Sequence, residues 1–395
     1  MLRHVFFSAP HRLMFAGGAV QAVLAMVLWA WELQARHFSL LPVPTWPWPP
    51  AWVHGGLMVF GIFPWFIFGF LMTALPRWMA AAPLQPRHFR PAFFLMAGGW
   101  LLFLPGLALP SPALAGLALV GAGWLWGIAA LAGVVRGSLN ERGHAVAVLA
   151  ALGLGVAGLA AYGAAVARVD AVWFRIAVET GLWGCLAPVF VIVLHRMLPF
   201  FTSAVVRDYE SYQPMGALWL ILAALLAHGI LAAAELPAWR WLPDGVAAGV
   251  MAHLSSRWGL RAALGFPMLA MLHLGALWLT VGLGLYAVQG GLALAGVSWG
   301  GLVPLHAIGA GFFASILLGM ATRVTLGHSG RPIAGDRWAW RLFLLHQGVV
   351  VLRLAGEFIS PLSLVAALGW LAVFGGWAAV HLPMVVKPRP DGQRG

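Results

Sequence analysis

Histidines carry whatever chemistry this chain performs. Fourteen of them occur in a chain that is 62% hydrophobic. Several sit inside or at the edges of long apolar runs. Ionisable groups in such surroundings are costly to keep and are functional candidates by default, and imidazole is both cheap to bury neutral and the commonest metal ligand. The stretch HAIGAGFFASILLGMATRVTLGHSGRP (306–332) opens on His306, runs apolar for about the length of a helix, and closes on Arg323 and then Gly327-His328-Ser329-Gly330-Arg331. A second stretch, FPMLAMLHLGALW (266–278), sets His273 beside Met268 and Met271, soft or borderline ligands of the kind copper(I) accepts, although methionine in apolar helices also serves plain packing. Two imidazoles at one depth on separate helices can clamp a haem, each supplying one axial nitrogen while apolar walls hold the porphyrin.

The elements that must position these groups are membrane spans. Charged residues make up only 9% of the chain and mean hydropathy is +0.89, too little polar surface for a water-soluble domain. The single cysteine, Cys185, excludes an intrachain disulfide, a thiolate zinc site and covalent Cys-x-x-Cys-His haem attachment. Apolar stretches of about 20 residues fall near 14–33, 53–75, 91–110, 112–135, 144–166, 172–195, 215–234, 242–256, 266–288, 300–322, 338–357 and 361–383. The eighth is the weakest, with Asp244 at its start and Ser255-Ser256-Arg257 at its end. The first follows Arg3 and Arg12, but Glu32 and Gln34 come after it rather than a small-residue cleavage site, so it reads as an uncleaved span. The expected fold class is all-α: one polytopic membrane domain over 1–395, with about twelve helices and no soluble domain.

Arginine placement sets the expected orientation. With twelve spans, the termini and even-numbered loops hold eighteen Lys and Arg, among them Arg77, Arg196, Arg323, Arg331 and Arg389; the odd loops hold only Arg36, Arg168, Arg175 and Arg240. Positive-inside bias then predicts cytoplasmic termini, and the net charge of +12 reflects topology and lipid anchoring rather than nucleic-acid binding. The second, sixth and tenth spans end LMTALPRW, VLHRMLPFFT and LGMATRVT, with arginines 119 and 127 residues apart. Either three four-helix units repeat or any in-going helix ends this way.

Topology gives each candidate a depth. His54 and His306 open the second and tenth spans, and His228 lies in the outer part of the seventh. His54 and His306 meet the requirement for a haem clamp. Interhelical hydrogen bonding or interfacial solvation would equally account for them. His228 would be a third ligand or a copper ligand. His273 and His346 lie deeper, and His195, His253, His328 and His381 lie at or near inner ends. His4, His11, His37, His88 and His144 read as ordinary loop or headgroup residues. Glu179, just inside the sixth span, would either deliver protons or pair with Arg175 one turn away. Arg353, within a span, needs a haem propionate, Glu357 at i+4, or backbone carbonyls. No His-His pair occurs and no histidine is followed four residues later by tyrosine, which disfavours an oxygen-reducing haem–copper oxidase; no P-loop or dinucleotide fingerprint is present.

Several of these stretches resemble the NnrS family of bacterial membrane proteins. GFLMTALPRW (69–78) is similar to its Gly-Phe-Leu-Leu-Thr-Ala-x-x-x-Trp signature, and HRMLPFFT (195–202) to its Arg-x-x-Pro-x-Phe-Thr stretch. RWGLRAALGFPMLAMLHLGALW (257–278) resembles its Arg-Trp followed by Pro-Leu-Leu-x-x-Leu-His. MATRVTLGHSGRP (320–332) resembles its most distinctive segment, Met-x-x-Arg-Val-x-Leu-Gly-His-Thr-Gly-Arg. The resemblance implies a haem- and copper-containing protein of twelve spans tied to nitric oxide metabolism and nitrosative stress. It matches His54, His273, His306 and His328 to the family's histidines and Arg323 and Arg331 to its arginines. There is one departure: where the family opens the second span His-x-His-Glu, this chain reads His54-Gly55-Gly56-Leu57. His195, His228, His253 and His346 have no counterpart in the pattern.

The expected function is therefore binding, reduction or detoxification of nitric oxide on haem b, one or more per chain, with copper as a second metal. An unidentified donor supplies electrons. Cofactor contacts are expected from His54, His273, His306, Arg323, Arg331 and Arg353, and metal contacts from His54, His228, His273, His306 and His328. Arg323 and Arg331 would anchor to lipid phosphate or bind a propionate. The rival readings are a permease delivering copper or haem, for which Pro64, Pro188 and Pro267 would supply broken helices, and a non-catalytic partner of nitric-oxide-handling enzymes.

Overall fold

The computed structural model describes residues 5–138, 140–333 and 336–391; Arg3 and His4 of the sequence reading lie outside them. Twelve long helices cover the described residues, and no strand occurs among them. They are α1 (Pro10–Phe38), α2 (Pro50–Trp78), α3 (Pro86–Gly106), α4 (Pro110–Arg136), α5 (Gly143–Arg168), α6 (Ala171–Ser203), α7 (Met215–Ala233), α8 (Trp241–Arg257), α9 (Pro267–Leu294), α10 (Val303–His328), α11 (Arg337–Ala355) and α12 (Leu362–Val386). Each coincides with one of the twelve expected spans.

Local chemistry explains where the helices start. Pro10, Pro50, Pro86, Pro110 and Pro267 occupy first positions, where the missing N–H costs nothing and the fixed φ suits the helix. Pro267 thus begins α9 rather than breaking it. Asp170 caps α6 by accepting from the N–H groups of Val172 (2.7 Å) and Trp173 (3.3 Å). Asp336 caps α11 in the same way, from Trp338 and Ala339.

Among the described residues, ten of the twelve are long and apolar enough to cross a membrane. The other two are α8, which has only 17 residues, and α11, which carries Arg337, Arg341 and Arg353. Bulky apolar side chains such as Leu101, Ile230 and Phe358 stand exposed, as lipid-facing residues do.

Three helices share a distortion that the sequence reading did not foresee. A π-helical segment interrupts α2 at Leu57–Ile62, α6 at Thr180–Leu186 and α10 at Ala307–Phe313. These are the helices of the suspected repeat, and the segments begin 123 and 127 residues apart. Two have an evident cause. Pro64 and Pro188 each stand two residues beyond the segment. A proline ring clashes with the carbonyl four residues before it, at Phe60 and Gly184, and a wider turn relieves the clash. These prolines widen their helices without breaking them. No proline follows the segment in α10, where Ser315 stands instead. There the ring of His346 donates from Nε2 to the carbonyl of Ala310 at 2.9 Å, satisfying an acceptor within the π segment.

The chain divides into two compact units, and three of the four boundaries fall inside α6, α10 and α12. The first comprises Met1–Val189, Val324–Arg331 and Trp377–Gly395. Its helices approach through small residues, as membrane helices do. A Cβ on Gly99 would lie 2.5 Å from the carbonyl oxygen of Gly116, so α3 and α4 touch backbone to backbone. The second comprises Phe190–Arg323 and Pro332–Gly376. Its core includes Phe190 against Phe312 and Phe313. Trp278 donates to the Gln347 side chain at 2.8 Å, and Gln347 in turn donates to Ser315 at 3.1 Å, tying α9, α11 and α10.

Candidate functional site

His54 belongs to the first unit and His306 to the second.

The second unit contains the most developed arrangement. His306 is the residue immediately before the π segment of α10. Its Nδ1 donates to the carbonyl of Leu302 at 2.9 Å, and the carboxylate of Glu357 lies 3.6 Å from the same nitrogen. Glu357 is itself fixed. Arg353 donates to its Oε1 at 2.7 Å, and the N–H of Leu302 donates to its Oε2 at 3.1 Å. The ring is thus set in one tautomer and orientation by a carbonyl and a clamped carboxylate. Its Nε2 lone pair takes part in no hydrogen bond among the described residues. That is the outer-shell pattern of a metal-ligating histidine. Arg353 thus pairs with Glu357 at i+4, one of the partners open to it.

The remaining candidates of the second unit are engaged differently. Thr202 donates its hydroxyl to the carbonyl of Leu198 at 2.9 Å, so the buried His273 donates from Nε2 to Thr202 Oγ1 at 3.2 Å. A metal on His273 would use Nδ1. His228 donates from Nδ1 to Asp244 at 2.7 Å, while Arg240 approaches its Nε2 at 3.4 Å and lies over Tyr286. His228 and Asp244 are 0% and 1% exposed, a buried acid–imidazole pair in which Asp244, in the sequence only a weakness of the eighth span, is brought to the candidate ligand His228 by the fold. With both nitrogens of His228 facing partners, a metal there would have to displace Arg240. The guanidinium of Arg323 rests 3.9 Å from the centre of the Phe201 ring, a cation–π contact. His195 donates to the carbonyl of Pro214, and His253 meets Tyr212.

In the first unit, His54 stacks on Trp29, the ring centres 4.1 Å apart and the planes 16° from parallel. It precedes the π segment of α2 by three residues, and Glu179 immediately precedes that of α6. The departure from the family pattern has a structural counterpart at Gly56. A Cβ there would lie 2.2 Å from Cζ and 2.3 Å from the hydroxyl of Tyr162. The space beside position 56 is filled by a fully buried phenol that donates to the carbonyl of Trp52 at 3.1 Å.

His328 donates from Nδ1 to the carbonyl of Val324 at 3.0 Å. Its neighbour is His11, the ring centres 4.4 Å apart. His11 was expected to be an ordinary headgroup residue; it is 2% exposed inside α1. Nothing in the local pattern marked it, because its partner lies at the far end of the chain. Among the described residues, no three His, Cys, Asp or Glu side chains are grouped so as to hold a metal ion.

The fold and these side chains define a polytopic all-α membrane protein with several buried, orientationally fixed histidines. A match to the NnrS family, described as NnrS protein, runs over residues 5–389, and the chain belongs to that family. Membership makes it a nitric-oxide-related membrane protein. Comparison with curated proteins finds no match.

Proposed function

We propose that this protein holds haem b in the bacterial inner membrane and there binds nitric oxide and reduces or otherwise detoxifies it. The observation that carries the proposal is His306. In a chain of this family, one imidazole is held through Nδ1 by a backbone carbonyl and a clamped carboxylate, leaving Nε2 to bind iron. His306 would hold the haem, and Arg353 and Glu357 would keep its ring in register. His54 and His273 are further candidate ligands. Haem iron, when bound, supplies the coordination position that nitric oxide takes. Glu179, at the head of a π segment, is our candidate for holding a proton, and an electron donor outside the chain completes the chemistry. The apolar helices give a small neutral gas access from the lipid. The eighteen-to-four bias of Lys and Arg supports cytoplasmic termini and a single membrane-embedded domain. Copper is less well provided for: the described residues lack a group of three ligands, and no step is assigned to it.

The test is a pyridine haemochrome spectrum of the detergent-purified protein, with iron and copper by mass spectrometry. The expected result is at least about one non-covalent b-type haem per chain, lost in His306→Ala. A colourless protein from haem-replete cells overturns the reading and moves the weight to a permease or a non-catalytic partner. Nitric oxide consumption by the reduced protein no faster than that of empty membranes overturns turnover.

A further inference from the structure

Cationic groups from both ends of the chain gather in the first unit, where α1 begins and α2, α10 and α12 end. Arg12 is 1% exposed. Its Nη1 donates to the carbonyls of Val385 (2.8 Å) and Lys387 (3.0 Å) at the end of α12, acceptors that a helix end leaves unpaired. Its Nε is buried without a hydrogen-bond partner among the described residues. His11, beside it in sequence, packs against His328. Nε2 of His328 and Nη1 of Arg331 are likewise buried and unpartnered among the described residues. Gly330 lies between them at φ +69, and the guanidinium of Arg389 sits against it, 3.0 Å from where a Cβ would stand. Arg12, Arg77 and Arg389 all lie within electrostatic reach of the His328 ring.

The charge does not balance. Four guanidinium groups and two imidazoles meet, and among the described residues only Asp391 forms an ion pair with any of them, holding Arg389. Buried donors without acceptors, in a setting that repels further cations, are stable only when an anion joins them. The free donors are guanidinium N–H groups of Arg12 and Arg331, whose forks match the several oxygens of a phosphate better than a single acceptor.

We propose that this cluster is a binding site for a phosphate-type oxyanion, contacted by Arg331 and Arg12, with His328 Nε2 placed to accept from a protonated phosphate oxygen, and held in place electrostatically by Arg77 and Arg389. The anion is either the head group of an acidic phospholipid or free phosphate. The site does not rest on the haem reading, and none of its residues belongs to the His306 arrangement.

The full-length protein in detergent tests this by thermal shift with inorganic phosphate, phosphatidylglycerol or phosphatidylcholine. Wild type is expected to be stabilised by phosphate, by phosphatidylglycerol, or by both, and which of them acts identifies the source. Arg331 makes no side-chain hydrogen bond among the described residues, so Arg331→Gln should fold. It is expected to weaken the apparent affinity about tenfold, the loss of one charge-assisted hydrogen bond. Arg331→Lys, which keeps the charge but not the fork, should fall between. Arg87→Gln, an exposed arginine elsewhere in the same unit, should leave the affinity unchanged. Absence of stabilisation by phosphate and phosphatidylglycerol alike overturns the site. So does equal weakening by Arg87→Gln, which would mean diffuse charge attraction. Loss of haem in Arg331→Gln with phosphate affinity intact also overturns it, because the anion would then be a cofactor carboxylate.

Discussion

Substituting Gly56 by alanine tests how the chain accommodates its departure from the family pattern. The added methyl would sit 2.2 Å from Cζ, 2.3 Å from the hydroxyl and 2.7 Å from Cε1 of Tyr162, where carbon contacts settle at about 3.5–4.0 Å. The ring would have to move by more than about 1 Å in an interior packed as densely as a crystal. Phe60 lies against it, the ring centres 5.7 Å apart, and its hydroxyl is tied to Trp52. Overpacking of this kind costs about 1–3 kcal/mol, and losing the Trp52 hydrogen bond adds about 1 kcal/mol. The gain from replacing glycine in a helix offsets about 1 kcal/mol. The net expectation is a loss of about 1–3 kcal/mol, seen as a fall of a few degrees in the unfolding midpoint in detergent. The decisive measurement is the double-mutant cycle with Tyr162→Ala. In that background Gly56→Ala should be neutral or mildly stabilising, and histidine should be tolerated at position 56 only there. An alanine variant as stable as wild type, or one equally damaged in both backgrounds, would refute the reasoning.

Two further outcomes follow from the second unit. Glu357→Gln removes the charge that holds Arg353 and steadies His306. It should lower the unfolding midpoint by the equivalent of about 1.5–3 kcal/mol and weaken haem retention about 10–100-fold; unchanged stability and haem content would contradict it. His346→Leu leaves the buried side chain apolar but strips the Ala310 carbonyl of its donor, an expected cost of about 1–3 kcal/mol, whereas stability equal to wild type would show that the π segment of α10 needs no such support.

Much of the fold was legible because its causes are local. Apolar runs of span length, prolines at first helical positions and arginines at helix ends locate all twelve helices. Arg353 was read as needing a partner, with Glu357 one option, because an i+4 relation on a helix is a sequence relation. The site was less legible wherever its partners are distant in the chain. His11 gave no sign of its contact with His328, nor Gly56 of Tyr162. Asp244 looked like a flaw in a span, and only the fold brings it to His228.

The π segments show why such gaps matter to function. A π turn holds an extra residue without lengthening the helix in proportion. With about 100° of rotation per residue in an α-helix, it turns everything before it relative to everything after. His54, Glu179 and His306 all stand just ahead of such a segment. Their azimuth therefore cannot be projected from the α-helical periodicity of the residues that follow. Periodicity carries no signal for this. Pro64 and Pro188 did, once read as widening a turn rather than breaking a span. In α10 no proline marks the segment, and its hydrogen-bond partner is His346 of α11. A histidine that matches no family position, and that looked idiosyncratic in the sequence, thus supports the segment that follows His306. Such distortions gather at functional sites, and here they occur in the three helices whose sequence endings first suggested a repeat. What these three helices share is therefore a backbone irregularity set beside an ionisable group, as well as the arginines that drew attention to them.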